Sequence, residues 1–333
     1  MVPLSVLDIC PVVEGGDVRQ SLDNSLDLAR HAERLGYRRF WLAEHHDMPG
    51  VASAATSVVI GHVAAGTRSI RVGAGGIMLP NHAPLVIAEQ FGTLEALFPG
   101  RIDLGLGRAP GSDQLTARAL RRTLVGDVDR FPQDVIELMS YFQPPSPGQH
   151  IQAVPGAGLA VPVWILGSSL FGAQLAAALG RPFAFAAHFS SGQMEEAAEL
   201  YRARFEPSPQ LDKPYFMIGL SVVAAETEAE ARRLFTSQQQ FFLNLRTGRP
   251  ARLPPPVDDI EARLAASGLS DMPGASAAAV VGDHEEVRRG LESFVAKIHP
   301  DEIMVTAQIY DHAARVRSFE IAAGARDELT TAA

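Results

Sequence analysis

Four titratable side chains stand in a row at Glu44, His45, His46 and Asp47. An imidazole ring can donate a hydrogen bond or carry a proton near neutral pH, and it can also bind a metal ion. Adjacent residues of extended backbone point to opposite sides, so His45 and His46 cannot easily bind one ion together. The sequence has no HExxH spacing and no obvious third ligand. The row therefore favours an acid–base site over a metal site, with a polar loop as the alternative interpretation.

A second candidate site comprises Gly167, Ser168 and Ser169, which follow the apolar run at 161–167 and begin a helical pattern at 169–179. Free amides at the start of a helix, together with two hydroxyls, favour a bound anion such as a phosphate. The segment lacks the Gly-Lys-Ser/Thr of a Walker A loop. An ordinary helix cap by Ser168 or Ser169 is the competing interpretation, because serine is common at that position.

Two glycine-rich segments supply further candidates. Arg108 follows Gly105-x-Gly107 and offers a fixed positive charge that can pair with a phosphate, with a plain surface position as an equal alternative. Gly75 and Gly76 stand where a predicted strand should end. Two glycines there let the backbone approach a flat ligand closely, or they simply form a turn.

Apolar runs and helical spacing predict eight strands, most of them followed by a helix. We expect strands at 4–8, 38–43, 69–74, 101–107, 161–167, 182–187, 215–225 and 302–307, and helices at 19–35, 54–65, 84–98, 132–142, 169–179, 193–205, 226–245, 283–297 and 312–328. This α/β alternation is typical of a parallel sheet with crossover helices, and eight units fit a closed (β/α)8 TIM-type barrel. A doubly wound open sheet is the alternative fold. In a barrel, the candidate groups that follow strands lie at the C-terminal mouth, where catalytic residues collect.

The chain is predicted to form a single domain over 1–333. The alternation resumes after two Pro- and Gly-rich stretches, 143–160 and 247–280, so both are interpreted as long connections. Long insertions near a barrel mouth often act as lids, and 247–280 is the candidate lid or insertion segment. Tyr310 and His312 follow the eighth strand and face either the mouth or the surface.

The composition disfavours several classes of partner. With 29 basic and 38 acidic residues, the net charge is −9 and no block of like charges stands out, so nucleic acid and anionic membranes are not expected partners. The single cysteine, Cys10, excludes an intrachain disulfide framework. The sequence starts without the basic region of a signal peptide, and no apolar run approaches membrane-spanning length. We therefore expect a cytoplasmic protein.

Nearly the whole chain resembles the luciferase-like flavin-dependent monooxygenase family of the bacterial luciferase superfamily, in particular its single-chain alkanal-monooxygenase-like subgroup. The resemblance is carried by the segments WLAEHH (41–46), EQFGTLEALFPGRIDLGLGRAPG (89–111) and WILGSSLFGAQLAAALG (164–180). It implies a (β/α)8 barrel that binds reduced FMN (FMNH2) at its mouth, commonly as a homodimer. The implied reaction is monooxygenation of a small organic acceptor such as an aldehyde, with FMNH2 from a separate NAD(P)H:flavin reductase and O2 reacting through a C4a-peroxyflavin.

The resemblance also implies roles for individual residues. His45 matches the family's catalytic histidine, which holds the oxygenated flavin by a hydrogen bond and moves a proton. Arg108 matches the arginine near the FMN phosphate, and the phosphate cradle matches Gly167, Ser168 and Ser169. Because Arg108 and Ser168 follow neighbouring strands of such a barrel, one phosphate can contact both.

A cis non-proline peptide bond beside the flavin ring in this family matches Gly75–Gly76. Bacterial luciferase has a reactive cysteine after strand four, whereas this sequence has Gly107 there, and Cys10 after strand one does not replace it. We therefore expect flavin binding without light emission. An F420-dependent oxidoreductase of the same superfamily, a non-catalytic flavin-binding protein and, more remotely, a metal-dependent barrel hydrolase are the alternatives.

Overall fold

The computed structural model describes residues 1–109, 116, 119–120, 130–267 and 278–329. Its strands are β1 (Leu4–Asp8), β2 (Arg39–Leu42), β3 (Arg71–Met78), β4 (Ile102–Gly107), β5 (Val163–Gly167), β6 (Phe183–Phe185), β7 (Phe216–Ala224), β8 (Ala279–Gly282) and β9 (Glu302–Thr306). Its α-helices are α1 (Val18–Arg34), α2 (Thr56–Gly66), α3 (Pro84–Leu97), α4 (Phe131–Tyr141), α5 (Leu170–Ala178), α6 (Met194–Ala203), α7 (Glu228–Arg246), α8 (Ile260–Ala266), α9 (His284–Ile298) and α10 (His312–Asp327). None of these helices is both long and apolar enough to cross a membrane.

Eight of the strands close into a parallel barrel in the order β1 to β7 and then β9. Val6 of β1 lies beside Phe40 of β2 on one side and beside Val305 of β9 on the other, which closes the ring. β6 and β7 also pair in parallel, so every strand of the ring has a neighbour on both sides. The prediction of a (β/α)8 barrel is confirmed, and the open-sheet alternative is wrong.

The ninth described strand accounts for the helix predicted at 283–297, which precedes the eighth predicted strand. β8 pairs with the C-terminal part of β7, from Ser221 to Ala224, and lies outside the ring of eight. It forms an inserted β/α unit with α9. The segment 247–280, interpreted above as a long connection and a candidate lid or insertion, contains α8 and the start of β8. Four residues are too few for their pattern to identify a strand in an alanine-rich stretch.

The strand side chains alternate between two apolar layers. Outward-pointing residues such as Val6, Phe40 and Leu104 pack against the surrounding helices in the main core. Inward-pointing residues such as Trp41 and Trp164 form a separate cluster in the barrel lumen. Because the strands are buried on both faces, they appear in the sequence as nearly continuous apolar runs.

Buried charges close the end of the lumen farthest from the mouth. Arg39 contacts Glu302 at 3.0 Å and Asp103 at 2.7 Å, and all three side chains are nearly inaccessible to solvent. Burial disfavours the charged form of Arg39, but Asp103 and Glu302 outweigh it and raise the pKa of the guanidinium above its usual value. Asp103 also accepts a hydrogen bond from Trp41 Nε1 at 3.2 Å. This network orients the indole that forms the base of the cavity above it.

The start of the predicted lid segment packs against the loop after β1. The amide of Leu253 donates to the carbonyl of Val12, and the amide of Glu14 donates to the carbonyl of Leu253, both at 2.9 Å. The Leu253 side chain is fully buried in the lumen cluster. This part of 247–280 therefore lies over one side of the mouth, while residues 268–277 lie outside the described chain.

Candidate active site

A cavity of about 950 Å³ opens at the carboxyl ends of the strands. All of the residues predicted for the site contribute to its wall, namely His45, Gly75, Gly76, Arg108, Gly167, Ser168 and Ser169. They come from four neighbouring strands, β2 to β5, or from the loops that follow them. Barrel closure therefore brings together groups that are more than 120 positions apart in the sequence.

The start of α5 has the features of an anion site. Ser169 occupies the N-cap position, yet within the described chain its hydroxyl makes no capping hydrogen bond to the helix. The amides of the first turn are therefore available to a ligand, which disfavours the ordinary-cap interpretation. The guanidinium carbon of Arg108 lies 4.2 Å from the ring centre of Phe171, a residue of that turn. Stacking on Phe171 keeps a positive charge beside the helix N-terminus, as a phosphate group requires.

A bare backbone surface forms another part of the wall. The Gly75–Gly76 peptide bond is cis, as the family resemblance implies. These glycines lie within β3 rather than at its end, because the strand continues to Met78 after a shift in its register with β4. A Cβ atom on Gly76 would lie 2.8 Å from the carbonyl oxygen of Gly105. The close strand packing therefore excludes a side chain at Gly76 and leaves a flat surface for a ligand.

Glu44 is buried directly after β2 and is surrounded by hydrogen-bond donors. Its Oε1 contacts His46 Nε2 at 2.7 Å and His82 Nε2 at 2.8 Å, and its Oε2 accepts the amide of Met78 at 3.1 Å. Burial disfavours the charged carboxylate, but the contacts with His82, His46 and Met78 outweigh it and lower the pKa of Glu44. We call Glu44, His46 and His82 the carboxylate clamp, because they join the loop after β2 to the turn after β3.

The clamp contains a residue that the sequence pattern did not reveal. The expectation that no third ligand accompanies the histidine pair overlooked His82, which lies 36 positions beyond His46. Ligand atoms of the three residues lie within 4.8 Å of one another, a spacing that a metal ion would also accept. The direct nitrogen–oxygen distances already correspond to good hydrogen bonds. Hydrogen bonding among the three side chains is therefore sufficient to explain the geometry of the clamp.

His45 lies outside the clamp and contributes to the cavity wall. The preceding amide, that of Glu44, donates to the carbonyl of Gly76 at 3.3 Å. This bond ties the histidine loop to the glycine wall. A ring in this position can exchange a hydrogen bond or a proton with a ligand that lies against Gly76.

Sequence reasoning missed His188, which also lines the cavity. It follows β6 closely, so the rule that selected His45, a titratable residue just beyond a predicted strand, would also have selected it. Enclosure lowers the pKa of the His188 ring to about 4, and the nearby His45 contributes to the lowering. The Gly219 carbonyl favours the protonated ring and offsets only a part of this lowering of the pKa. The His188 ring is therefore neutral at physiological pH.

Of the remaining residues singled out in the sequence, Cys10, Tyr310 and His312 do not belong to the described cavity lining, whereas Gly107 does. Cys10 is buried, and this burial together with the nearby Asp8 raises the pKa of its thiol, so it is no nucleophile. Tyr310 donates to the carbonyl of Glu14 at 2.7 Å, and neither it nor His312 belongs to the described lining of the cavity. Gly107 lines the cavity, and a Cβ atom there would lie 2.8 Å from the sulfur of Met78.

Comparison with known proteins agrees with this geometry. The sequence model of the luciferase-like monooxygenase family matches residues 9–302. The chain is 53% identical over 328 residues to a luciferase-like monooxygenase of Escherichia coli (strain K12), with 98% of each chain covered. It is 37% identical over 253 residues to the N-acetyl-S-alkylcysteine monooxygenase of Bacillus subtilis (strain 168), with 75% of each chain covered.

Solved structures show the same relationship. The crystal structure of apo-MsnO8 matches with a TM-score of 0.89 and 37% identity, and 99% of each chain is covered. Two more distant structures share the fold alone. One is the oxygenating constituent of 3,6-diketocamphane monooxygenase of Pseudomonas putida in complex with FMN (TM-score 0.74, 16% identity, 100% and 99% covered). The other is an F420-dependent secondary alcohol dehydrogenase (TM-score 0.68, 15% identity, 97% and 98% covered).

The fold and the cavity define a (β/α)8 barrel protein with a large cavity at its C-terminal mouth. Within that class, the chain belongs to the luciferase-like monooxygenase family.

Proposed function

We propose that the protein is an FMN-dependent monooxygenase of the two-component type. It would receive FMNH2 from a separate NAD(P)H:flavin reductase and use O2 to oxidise a small organic acceptor such as an aldehyde. The observation that carries this proposal is the convergence of Arg108, the uncapped start of α5 and the Gly75–Gly76 wall on one cavity. Reduced FMN, when bound, supplies the electrons that activate oxygen.

The residues present fit FMN in charge and shape. Arg108 and the first amides of α5 would hold the phosphate, with the hydroxyls of Ser168 and Ser169 as further donors. The side-chain-free surface at Gly75–Gly76 would lie against the planar ring system. His45 would donate a hydrogen bond to the reacting region and hold or return one proton.

The apolar lumen supports an oxygenase rather than a hydrolase. Trp41, Met217 and Met304 line the lower part of the cavity, and Phe241 of α7 lines its outer part. Such surroundings exclude water, which would otherwise divert a reactive oxygen species from the acceptor. We further propose that 247–280 acts as a lid within a single domain that spans the whole chain, and that the protein is a homodimer.

Replacing Arg108 with Gln tests the phosphate assignment. Hydrogen bonds to charged groups contribute about 1.5–3 kcal/mol, so the affinity for FMN should fall about 10–100-fold. Riboflavin lacks the phosphate, and its affinity should change by less than about twofold on the same reasoning. Isothermal titration calorimetry on the wild type, Arg108→Gln and the exposed control Arg68→Gln measures both ligands. Equal losses for FMN and riboflavin would contradict the assignment.

F420 chemistry is the second candidate, because an F420-dependent dehydrogenase shares this fold at 15% identity. Parallel titrations with FMN and F420 distinguish the two cofactors. Catalysis is then measured with FMNH2, O2 and a panel of acceptors, scoring oxygenated product against hydrogen peroxide. One relative is named as an N-acetyl-S-alkylcysteine monooxygenase, so S-alkyl compounds belong in that panel beside aldehydes. Binding without any product would favour a flavin-binding protein.

A further inference from the structure

The cavity wall divides into two halves that differ in their residues. The groups assigned above to the cofactor come from β2 to β5. The remaining wall carries His188 after β6, Met217 in β7, and Met304 and Gln308 in and after β9. Because β6, β7 and β9 are consecutive in the ring, these four residues form one continuous face. We call it the β6–β9 wall.

His188 is held in one orientation on this wall. A Cβ atom on Gly219 would lie 2.5 Å from His188 Nδ1, so the ring packs directly on the Gly219 backbone. Nδ1 is enclosed and has no well-aligned hydrogen-bond partner among the described residues. His188 as a residue is partly buried and lines the cavity. With Nδ1 enclosed against Gly219, the opposite nitrogen, Nε2, is left to face the ligand space.

The surroundings of the His188 ring determine its charge and its tautomer. Enclosure lowers the pKa of His188 to about 4, so the imidazole is neutral at pH 7. The Gly219 carbonyl, which accepts the His188 amide at 2.7 Å, also attracts a proton on the adjacent side of the ring. This favours the tautomer with its proton on Nδ1. Nε2 is then a hydrogen-bond acceptor. It therefore suits a ligand that offers an N–H or O–H group.

A second acceptor lies on the same wall. Gln308 Oε1 is buried and has no hydrogen-bond partner within the described chain, although the residue lines the cavity. A buried acceptor left without a donor is costly, and a further N–H or O–H group on the ligand would relieve that cost. Met217 and Met304 supply apolar, adaptable surface beside the two acceptors.

We propose that the β6–β9 wall is the subsite for the oxidisable acceptor, and that it binds an uncharged secondary amide, or a comparable N–H group, next to an apolar substituent. His188 Nε2 would accept the hydrogen bond and orient the ligand. The inference rests on the proposed function for the identity of the cofactor half of the cavity. It adds a substrate class and assigns His188 as the residue that recognises it.

The test uses N-benzylacetamide and its N-methylated analogue, which lacks the N–H. The chain contains two tryptophans, Trp41 lines the cavity, and Trp164 contacts Trp41 edge to face at 5.0 Å, so intrinsic fluorescence reports occupation. The wild type should bind the amide about tenfold more tightly than the N-methyl analogue, the value of one hydrogen bond. In His188→Phe the preference should fall to less than about twofold, while the exposed control His150→Phe keeps it.

Calorimetric titration of FMN into the same variants separates this proposal from the cofactor assignment. If FMN binds equally well to the wild type and to His188→Phe, and does not displace the amide, the two halves of the cavity are distinct. Displacement of the amide by FMN, an equal affinity for both amides, or no binding of either would overturn the subsite. Failure of both FMN and, under anaerobic conditions, FMNH2 to bind while the amide preference persists would refute the proposed function and leave the subsite standing.

Discussion

The carboxylate clamp gives a quantitative prediction for Glu44→Gln. The carboxylate accepts two imidazole donors at Oε1 and the Met78 amide at Oε2, and its side chain is only 1% exposed. Glutamine has the same shape but one acceptor oxygen. Either its NH2 group faces the Met78 amide, or it faces both imidazoles. In the first case the Met78 amide loses its partner. In the second case each imidazole must change its tautomer to accept from the NH2 group, and in both cases the hydrogen bonds to a charged acceptor are lost.

The structure sets the size of the expected effect. One lost charge-assisted hydrogen bond contributes about 1.5–3 kcal/mol, and a stranded buried donor costs about 1–3 kcal/mol, with overlap between the two. We therefore expect Glu44→Gln to lower the free energy of unfolding at pH 7 by about 2–4 kcal/mol. Since the folded state lowers the pKa of Glu44, this stabilisation is present above the ordinary value of 4.5 and is lost as the pH falls below it. The gap between wild type and variant should narrow accordingly in acid.

Urea unfolding followed by circular dichroism measures the change, with the exposed Glu199→Gln as the matched control. In a double-mutant cycle with His82→Asn, the double variant should lose less unfolding free energy than the sum of the two single losses, because the two residues share one interaction. A loss below about 0.5 kcal/mol, the range of an ordinary surface substitution, would refute the reasoning. A loss equal to that of the Glu199→Gln control would refute it as well.

Three further predictions concern the cavity. His45→Ala should retain the affinity for FMN within about twofold, since it removes no phosphate contact. It should accelerate the reoxidation of bound FMNH2, measured by stopped-flow absorbance. An unchanged rate of reoxidation would argue against a catalytic role for His45. Gly76→Ala should cost about 1–3 kcal/mol in urea unfolding, because its Cβ would lie 2.8 Å from the Gly105 carbonyl, whereas Gly192→Ala, with nothing within 4 Å, should be nearly neutral. The lowered pKa of His188 should destabilise the wild type by up to ~3 kcal/mol between pH 6.5 and about 4, as the unfolded chain takes up a proton that the folded ring refuses. Acid titration of His188→Phe should lack this component, and identical pH profiles would contradict the assignment.

Local pattern was sufficient for the elements that build the barrel. The runs at 4–8, 101–107 and 302–307 are apolar because their strands are buried on both faces, and each was predicted as a strand. Pro84 at the start of α3 and Gly36 after α1 mark helix ends for reasons that act within a few residues. The strand β8 was missed because its pairing with β7, and not its own pattern, makes it a strand.

The amino-acid sequence by itself determined the residue types that can hold an anion, carry a proton and admit a flat ligand, together with their order after successive strands. Only the tertiary structure decided which of these groups meet. His82 reaches Glu44, and Arg108 stacks on Phe171, because neighbouring parallel strands end at one rim. The neutral state of His188 likewise arises from its enclosure against Gly219, a contact between β6 and β7 that no local spacing records. Hydrogen bonding and burial depend on distance in space, so these properties follow barrel closure and not chain position.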